Sequence, residues 1–587
     1  MKLILREYLA SLRERSELDA ILPDLLSELG YNVYSRPGRG TVQHGVDVAA
    51  ISPEVDGGKK VYLFSIKKGD LTRQDWNGSV QALRPSLDDI IDAYIPTHIP
   101  EEHRALPVVI CVCFGGEIQE PVRLSLTQYE KSKTTDRISF EEWNGDRIAN
   151  LLLQGILRED VLPKSLRSDF QKAVALLDEP EVSYRHFARL VRQLGQTVQS
   201  NKDKVRIARQ IYICLWVLFV WGRDVGNTEA PYRSSELAIL HVWEILKPLI
   251  GKESAEHRAL ARVLDQLIRV HVMIATDFVG TKIAPFAKSR DAIGEAVRSR
   301  SAVDVSLKLF DILGRVAMTG MWLKWMGDKS DRIDSETTAT TLNRYFDVCM
   351  SLIENNSALS LPLCDDQTTD VALLLMLYLW SSADGERLFA WLHAMVQRHD
   401  FTVRAGGRYP TSLVEYTDLV AHPRERSDEY FEEATAGSTL IPLLAIWTSS
   451  LGRPDLATRL ANLSAEKLKH CTMQLWTPGA NSEQHIYINS EIHGLAITDL
   501  PIKEGGSDLL ETIVEACKGD EGFNALSAVQ TGMWPIVLIA CRHWRLPVPP
   551  DFYIHALSTI RDEHNTSETV CEESTKTNSE SDSSRAS

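Results

Sequence analysis

Two short runs of apolar residues, rich in β-branched and aromatic side chains, lie close together near the start of the chain, at residues 45–51 and Val61–Lys67. A polar stretch with a proline and two consecutive glycines separates them. Such a pattern is typical of a β-hairpin. Because successive strand side chains point to opposite faces, Ser65 and Lys67 share a face. Pairing in the simplest register brings Asp47 beside them.

The chain around this hairpin has the pattern of an α/β region. Apolar residues at three- and four-residue spacing predict helix up to the stop signal at Gly30, with a kink at Pro23. A continuous apolar run at residues 107–114 is typical of a strand buried on both faces. The other elements predicted here are a strand at 31–35, a helix at 73–94 interrupted at Pro85, a short strand at 137–140, a turn at 143–146 and a helix at 147–157.

From about residue 170 the helical period dominates. The predicted helices span residues 184–199, 205–221, 235–249, 255–275, 303–325, 340–353, 369–396, 440–448, 454–463 and 529–545, with short strands at 485–488 and 495–497. No repeat of fixed period is visible, which argues against a regular solenoid. A segment poor in large apolar residues closes the chain and is typical of disorder.

These patterns predict a fold class and three regions. Residues 1–165 are expected to form an α/β domain with a mixed sheet flanked by helices. Residues 166–560 are expected to form a large, mostly α-helical regulatory or interaction domain, with a possible division near 400–440. Residues 561–587 are expected to form a disordered tail.

Composition narrows the class of protein. The chain has 587 residues, 44% hydrophobic and 25% charged, which indicates a globular protein with more than one domain. The start of the chain meets charge too soon for a signal peptide, and the nine cysteines have no paired or zinc-binding spacing, so a reducing cytoplasm is expected. The apolar run at 211–221 is about half the length needed to span a bilayer, and a buried helix is expected there.

The hairpin carries residues suited to phosphodiester hydrolysis. A carboxylate such as Asp47 can hold Mg²⁺, which activates water and neutralises phosphate charge. A lysine such as Lys67 is a point charge with three donors, suited to a water or a phosphate oxygen.

Asp47, the turn and Ser65-Ile66-Lys67 resemble the core of the PD-(D/E)XK nuclease superfamily, and the lead-in to Gly30-Tyr31 resembles Mrr-like restriction endonucleases. The resemblance implies a nuclease-like fold over about the first 165 residues and an Mg²⁺ or Mn²⁺ cofactor. It also implies that Asp47 is the main metal ligand and that Lys67 orients the attacking water. In this chain Ser65 stands where the family has an acid or a glutamine.

The same resemblance places Asp19 where a helix acid is expected, as a second or water-mediated metal ligand. It implies that the Ile66 carbonyl completes the metal shell and that Ser65 assists through its hydroxyl or a bound water. Fusion of a Mrr-like module to a large unrelated domain implies, by analogy, the effector of a bacterial restriction or anti-phage defence system.

Nucleic acid, DNA in preference to RNA, is the partner that this interpretation requires. The net charge of −16 argues against nonspecific coating of nucleic acid but leaves room for a local basic site. The cations expected to contact nucleic acid around the hairpin are Arg36, Arg39, Lys68 and Arg73. Solvated hairpin edges explain the same residues equally well.

Three functions fit the sequence. The first is a metal-dependent nuclease whose helical domain regulates it or binds protein partners. The second is a catalytically silent nuclease-like module that binds nucleic acid or protein, a possibility that Ser65 and the acidic charge favour. The third is a helical interaction scaffold in which the hairpin is coincidental.

Overall fold

The computed structural model describes most of the chain. The described residues are 6, 9, 18–35, 44–54, 58–79, 81–154, 164–196, 200–329, 334–422, 424–425, 427–491, 493–498, 500–503, 507–519 and 522–562. The chain divides into two compact units, Met1–Val270 and His271–Ser587.

The first unit contains a sheet and ten helices among its described residues. In chain order they are α1 Asp19–Glu28, β1 Asn32–Ser35, β2 Val48–Ile51, β3 Val61–Lys67, α2 Arg73–Asn77, α3 Leu83–Asp89, a π-helical turn Ile90–Tyr94, α4 Ile95–Thr97, a 3₁₀ turn Glu101–His103, β4 Val108–Phe114, α5 Glu120–Lys133, β5 Ile138–Trp143, α6 Gly145–Gln154, α7 Lys164–Ala175, α8 Pro180–Gln196, α9 Asn201–Asp224 and α10 Glu229–Leu246, with a 3₁₀ turn Lys247–Leu249 after α10.

The five strands form one mixed sheet in the order β1-β2-β3-β4-β5. The first three strands are antiparallel neighbours, and β3, β4 and β5 run parallel. The helices α2 to α4 lie in the connection from β3 to β4, and α5 connects β4 to β5, as parallel strands require. The expected mixed sheet flanked by helices is therefore present.

The sheet is buried where the sequence predicts it. All seven residues of β3 and all seven of β4 are buried, which explains their continuous apolar runs. Side chains from one face of β2, β3 and β4 pack in a single apolar cluster with residues of α2, α3 and α5, including Trp76, Leu87 and Leu126. On β1 and β2, the packing partner is α1.

The second unit is mostly helical, as expected, and α11 Ala255–Phe278 crosses the division between the units. Its described elements are a π-helical turn Val279–Ile283, α12 Ala292–Glu295, α13 Ala302–Asp328, α14 Ser335–Asn355, 3₁₀ turns Ser357–Ser360 and Asp365–Gln367, α15 Thr368–Trp380, α16 Glu386–Arg404, α17 Tyr416–Ala421, α18 Asp428–Ala434, β6 Gly437–Ser438, α19 Leu440–Ser450, α20 Pro454–Lys467, β7 Thr472–Met473, β8 Leu475–Thr477, α21 Ser482–His485, β9 Leu495–Ile497, α22 Ser507–Gly519, α23 Gly522–Ala525, α24 Ser527–Gln530, α25 Pro535–Trp544 and a 3₁₀ turn Pro550–Phe552.

The apolar run at 211–221 is a buried helix segment, as predicted. It lies in α9, whose stretch Asp203–Asp224 is long and apolar enough to cross a membrane. In the most apolar window of that stretch, 83% of the residues are buried inside the protein.

Four predicted elements are wrong in detail. The helix at 73–94 is broken at residues 78–82 and not at Pro85, because Pro85 lies in the first turn of α3, where proline costs no hydrogen bond. The helix at 369–396 is two helices, α15 and α16, separated at residues 381–385. The strand at 485–488 is the end of α21 and a turn, and the helix at 529–545 is divided into α24 and α25 by a turn before Pro535.

The domain boundary near 165 stays a prediction, although the last strand of the large sheet ends at Trp143 and only helices follow in the first unit. Residues 554–562 are helical, so the first two residues of the expected tail belong to a helix. The rest of that tail, 563–587, lies outside the described residues.

Candidate functional site

Asp47 lies at the start of β2, against β3. Its backbone N–H donates to the Phe64 carbonyl at 2.8 Å, and its Oδ2 accepts a hydrogen bond from the Ile66 N–H at 2.7 Å. Because Ile66 stands between Ser65 and Lys67, the carboxylate lies within one residue of both along β3. Asp47 therefore contacts this end of the hairpin, and a shared site of Asp47, Ser65 and Lys67 stays a prediction.

Gly45 fixes the chain just before Asp47. Its backbone has φ +76°, a left-handed value that glycine adopts at little cost. A Cβ at this position would lie 2.1 Å from the Ser86 carbonyl oxygen of α3. No other residue type fits so close to that carbonyl, so Gly45 lets the lead-in to Asp47 pack directly on α3.

Ser65 is buried within the sheet and is only 1% exposed. Its hydroxyl has no hydrogen-bond partner in the described part of the chain. Leaving a buried hydroxyl unsatisfied costs about 1–3 kcal/mol. The role that the resemblance implies for Ser65 suggests a solvated edge, where Ser65→Glu would leave folding intact. The burial of Ser65 shows that this expectation is wrong, because a longer charged side chain would have to displace packed neighbours.

Lys67 is the last residue of β3 and is 9% exposed. Its Nζ donates to the main-chain carbonyl of Gln81 at 3.1 Å, in the turn that precedes α3. The ammonium group is thus directed to the α3 side of the sheet and held there by a rigid acceptor. Gln81 was not predicted, because a main-chain carbonyl contact leaves no signal in residue type.

The carboxyl ends of β3 and β4 meet at this place. The loops that follow them pair through the Gly116 N–H, which donates to the Gly69 carbonyl at 2.9 Å. The Asp70 carboxylate accepts from the Glu117 N–H at 2.9 Å and ties the same two loops together. Binding sites of open α/β sheets commonly lie at the carboxyl ends of parallel strands, so the position of Lys67 suits a ligand site.

The electrostatics around Asp47 exclude its nearest thiol as a nucleophile. Burial raises the pKa of Cys113, and the negative charge of Asp47 raises it further. A neutral thiol is a weak nucleophile and a poor metal ligand. The Cys113 thiol is therefore kept in its neutral form.

Asp19, the second predicted metal ligand, lies in the helix that precedes the sheet. Asp19 begins α1, and with Asp24 it lies near the buried Tyr212 of α9. The Tyr212 pKa is raised chiefly by burial, and the charges of Asp24 and Asp19 add to this effect. The structure therefore places Asp19 beside α9, and its role as a ligand stays a prediction.

Of the basic residues expected to contact nucleic acid, two are described. Lys68 and Arg73 are both exposed, next to the carboxyl end of β3 and at the start of α2. Arg36 and Arg39 lie outside the described residues. The Ile66 N–H is engaged by Asp47, and the proposed metal-binding role of the Ile66 carbonyl stays a prediction.

The resemblance implies a magnesium ion at Asp47, and the donors present there are one carboxylate and one hydroxyl. Among the described residues, no group of three or more His, Cys, Asp or Glu side chains converges in a way that could hold a metal ion. Mg²⁺ commonly takes one or two carboxylates and completes its octahedron with waters and substrate phosphates. The Asp47 carboxylate and the unsatisfied Ser65 hydroxyl are compatible with that arrangement.

A second group of charges, in the other unit, is structural. Arg542 and Arg545, from the basic end of α25, donate to Asp311 of α13 at 2.7 and 3.1 Å. Arg545 also donates to the buried Asp370 of α15 at 2.7 Å. These arginines therefore join α25 to α13 and α15.

Comparison of the chain with protein-family models, curated proteins and solved structures gave no match.

Proposed function

We propose that the α/β region hydrolyses phosphodiester bonds of nucleic acid as a metal-dependent nuclease of the PD-(D/E)XK type. The observation that carries the proposal is the hydrogen bond from the Ile66 N–H to the Asp47 carboxylate at 2.7 Å. This bond holds the acid between Ser65 and Lys67 at the end of a buried strand. The order of three antiparallel strands followed by two parallel ones also supports it.

In this mechanism Asp47 would hold Mg²⁺ or Mn²⁺, with help from the Ser65 hydroxyl. The bound ion supplies charge neutralisation at the phosphate and makes its water more acidic. Asp47 is suited to the task because the Ile66 N–H fixes one carboxylate oxygen and thereby orients the other. The single carboxylate at the hairpin means that the affinity for metal without substrate is low, and phosphate oxygens complete the shell.

Lys67 would position the attacking water and the phosphate. The Gln81 carbonyl accepts a hydrogen bond from the ammonium group and orients it, and an ammonium group carries three donors suited to a water or a phosphate oxygen. Its 9% exposure means that most of the side chain is packed. A packed lysine loses little further freedom when substrate binds, which favours an ordered geometry.

Cleavage assays in chelator test the proposal. The full-length chain is incubated with single- and double-stranded DNA and RNA, first in EDTA and then with Mg²⁺ or Mn²⁺ restored. The expected result is no cleavage in EDTA and recovery with either ion, with Mn²⁺ more effective because it binds more tightly to weak sites. Cleavage that persists in EDTA would contradict the metal-dependent mechanism.

A matched pair of variants locates the activity. Asp47→Asn keeps the size of the side chain and its acceptor for the Ile66 N–H but removes the charge that holds the metal. Asp70→Asn makes the same change in the neighbouring loop, where Asp70 bonds the Glu117 N–H. We expect loss of cleavage in the first variant and retention in the second.

The second candidate function is a catalytically silent nucleic-acid- or protein-binding module. The burial of Ser65 in the place of the family's acid favours it, because a site with one fewer carboxylate binds metal less well. In that case Asp47→Asn and Lys67→Ala would leave every cellular effect of the protein unchanged, whereas deletion of residues 1–165 would abolish it. The helical unit would serve as a regulatory or partner-binding domain in either case.

A further inference from the structure

Two aromatic rings form a stack, and a third ring, three residues from Asp47 along the chain, lies tilted against it. The Tyr94 and His98 rings lie parallel within 19°, with centroids 5.2 Å apart. The His98 and His44 rings follow at 4.9 Å with an angle of 57°. Tyr94 is buried, His44 is half-buried and His98 is exposed, so the stack begins in the core and ends at the surface.

The stack is attached to the candidate site by a short, fixed piece of chain. His44 precedes Asp47 by three residues, which limits the distance between their Cα atoms to about 11 Å. Gly45, between them, packs against the Ser86 carbonyl of α3. Because stacked bases repeat every ~3.4 Å along one strand, this span covers only a few nucleotides.

The backbone and side chains hold these rings in place. His44 has φ +45°, a left-handed conformation that is uncommon outside glycine and a few residue types that include histidine. His98 Nδ1 lies 2.6 Å from the Thr97 hydroxyl, and the His98 N–H donates to the Tyr94 carbonyl at 2.8 Å. Rings fixed in this way lose little freedom when a flat ligand stacks on them.

We propose that the exposed His98 ring, with the tilted His44 ring beside it, forms a platform on which an unstacked nucleobase of a single-stranded substrate lies, a few nucleotides from the phosphate at Asp47. The proposal rests on the proposed nuclease function and names the substrate form, a strand with accessible bases. Aromatic and histidine rings bind bases through their faces and tolerate any sequence, because every base has a π-face. A base in a duplex has both faces covered by its neighbours and cannot occupy this platform.

Binding measurements in EDTA separate the platform from catalysis. Fluorescence anisotropy is measured for the full-length chain with a short labelled oligodeoxyadenylate, the corresponding oligoriboadenylate, an abasic strand of equal length and the duplex. We expect both adenylate strands to bind more tightly than the abasic strand and the duplex. The ratio of the two adenylate affinities then tells whether DNA or RNA is preferred.

Variants of the platform make the assignment specific. His98→Ala is expected to weaken adenylate binding roughly 5- to 100-fold, the loss typical of one base–aromatic stack, without changing abasic-strand binding. His98→Tyr keeps a ring and should keep the affinity within about threefold. His44→Asn removes the imidazole ring, and asparagine also adopts the left-handed backbone conformation found at this position. A loss of adenylate affinity in this variant would therefore be caused by the missing ring and not by a change of fold.

Two results would overturn the platform. One is equal binding of the adenylate and abasic strands by the unmodified chain. The other is unchanged adenylate affinity in both His98→Ala and His44→Asn. A chain that binds adenylate through these histidines but cleaves nothing would instead refute the nuclease proposal and leave the platform standing.

Discussion

Two groups of charged residues in this protein differ in how the chain brings them together. Asp47 meets the backbone of Ile66 across a hairpin, a separation of 19 residues. Asp311 of α13 binds Arg542 of α25, a separation of 231 residues along the chain. The first group joins two neighbouring strands of one sheet, whereas the second joins three helices.

The two groups also differ in charge compensation. Burial would raise the pKa of Asp311, but the charges of Arg315 and Arg542 outweigh it and lower the pKa well below its usual range. At the hairpin, main-chain groups contribute to the orientation of both charged side chains, since the Ile66 N–H donates to Asp47 and the Gln81 carbonyl accepts from Lys67.

The largest effect is expected for Asp311→Asn. This change leaves Arg315 and Arg542, which are both almost fully buried, without their anion. Breaking a buried ion pair costs about 3–5 kcal/mol, so the free energy of unfolding measured in urea should fall by that amount. Asp328→Asn, which removes a partly exposed pair with Lys324 in the same helix, should change it by less than ~0.5 kcal/mol. Equal effects of the two changes would refute the structural role of Asp311.

Ser65→Ala should stabilise the protein while reducing cleavage. Removing a buried hydroxyl that has no partner in the described structure relieves its desolvation cost, so we expect a gain of about 1 kcal/mol in unfolding free energy. Ser183→Ala is the matched control, because the buried Ser183 hydroxyl donates to the Ala173 carbonyl at 2.6 Å. That change should cost about 1 kcal/mol. A loss of stability in Ser65→Ala would show that Ser65 has a structural partner.

The pH dependence of stability is expected to change in Glu130→Gln. Burial raises the pKa of Glu130 to about 7, and the charge of Glu142 adds to this effect. Between pH 4.5 and about 7 the folded chain keeps a proton that the unfolded chain has lost, so Glu130 makes the protein less stable as pH rises through this window. In the unmodified chain we expect the free energy of unfolding to decline by roughly 1 kcal/mol across this window, a value that allows for the partial exposure of Glu130. Glu130→Gln should remove this decline.

Denaturation in urea at pH 4.5 and pH 7.5, two values that bracket this window, checks this prediction. The exposed Asp136→Asn variant is the control and should follow the unmodified chain. If Glu130→Gln keeps the full decline, another group is responsible for it.

The sequence predicts local structure far better than distant contacts. The strands β2, β3 and β4 follow from apolar runs bounded by turn residues, and their pairing places Asp47 as expected. The contact of Lys67 with the Gln81 carbonyl could not be predicted, because any residue type supplies a carbonyl.

The sequence-based predictions that proved wrong also have physical causes. Pro85 was expected to interrupt a helix, but a proline in the first turn of a helix removes no hydrogen bond. The burial of Ser65 was missed because a serine between Phe64 and Ile66 reads equally well as an exposed strand position. Nothing in the residues around Arg542 indicates a partner at Asp311, since the two are joined only by tertiary packing.

Cleavage and stability measured side by side in Lys67→Met test the central claim most directly. Methionine fills nearly the same space as lysine but has no ammonium group, so the unfolding free energy should stay within about 1.5 kcal/mol of the unmodified chain. Single-turnover cleavage in Mn²⁺ should fall by roughly 10²–10³, the loss typical of one positioned charge at a reacting phosphate. Lys131→Met, at an exposed position of α5 that lies outside the predicted site, should retain most of the activity. Full cleavage by a stable Lys67→Met protein would contradict the account.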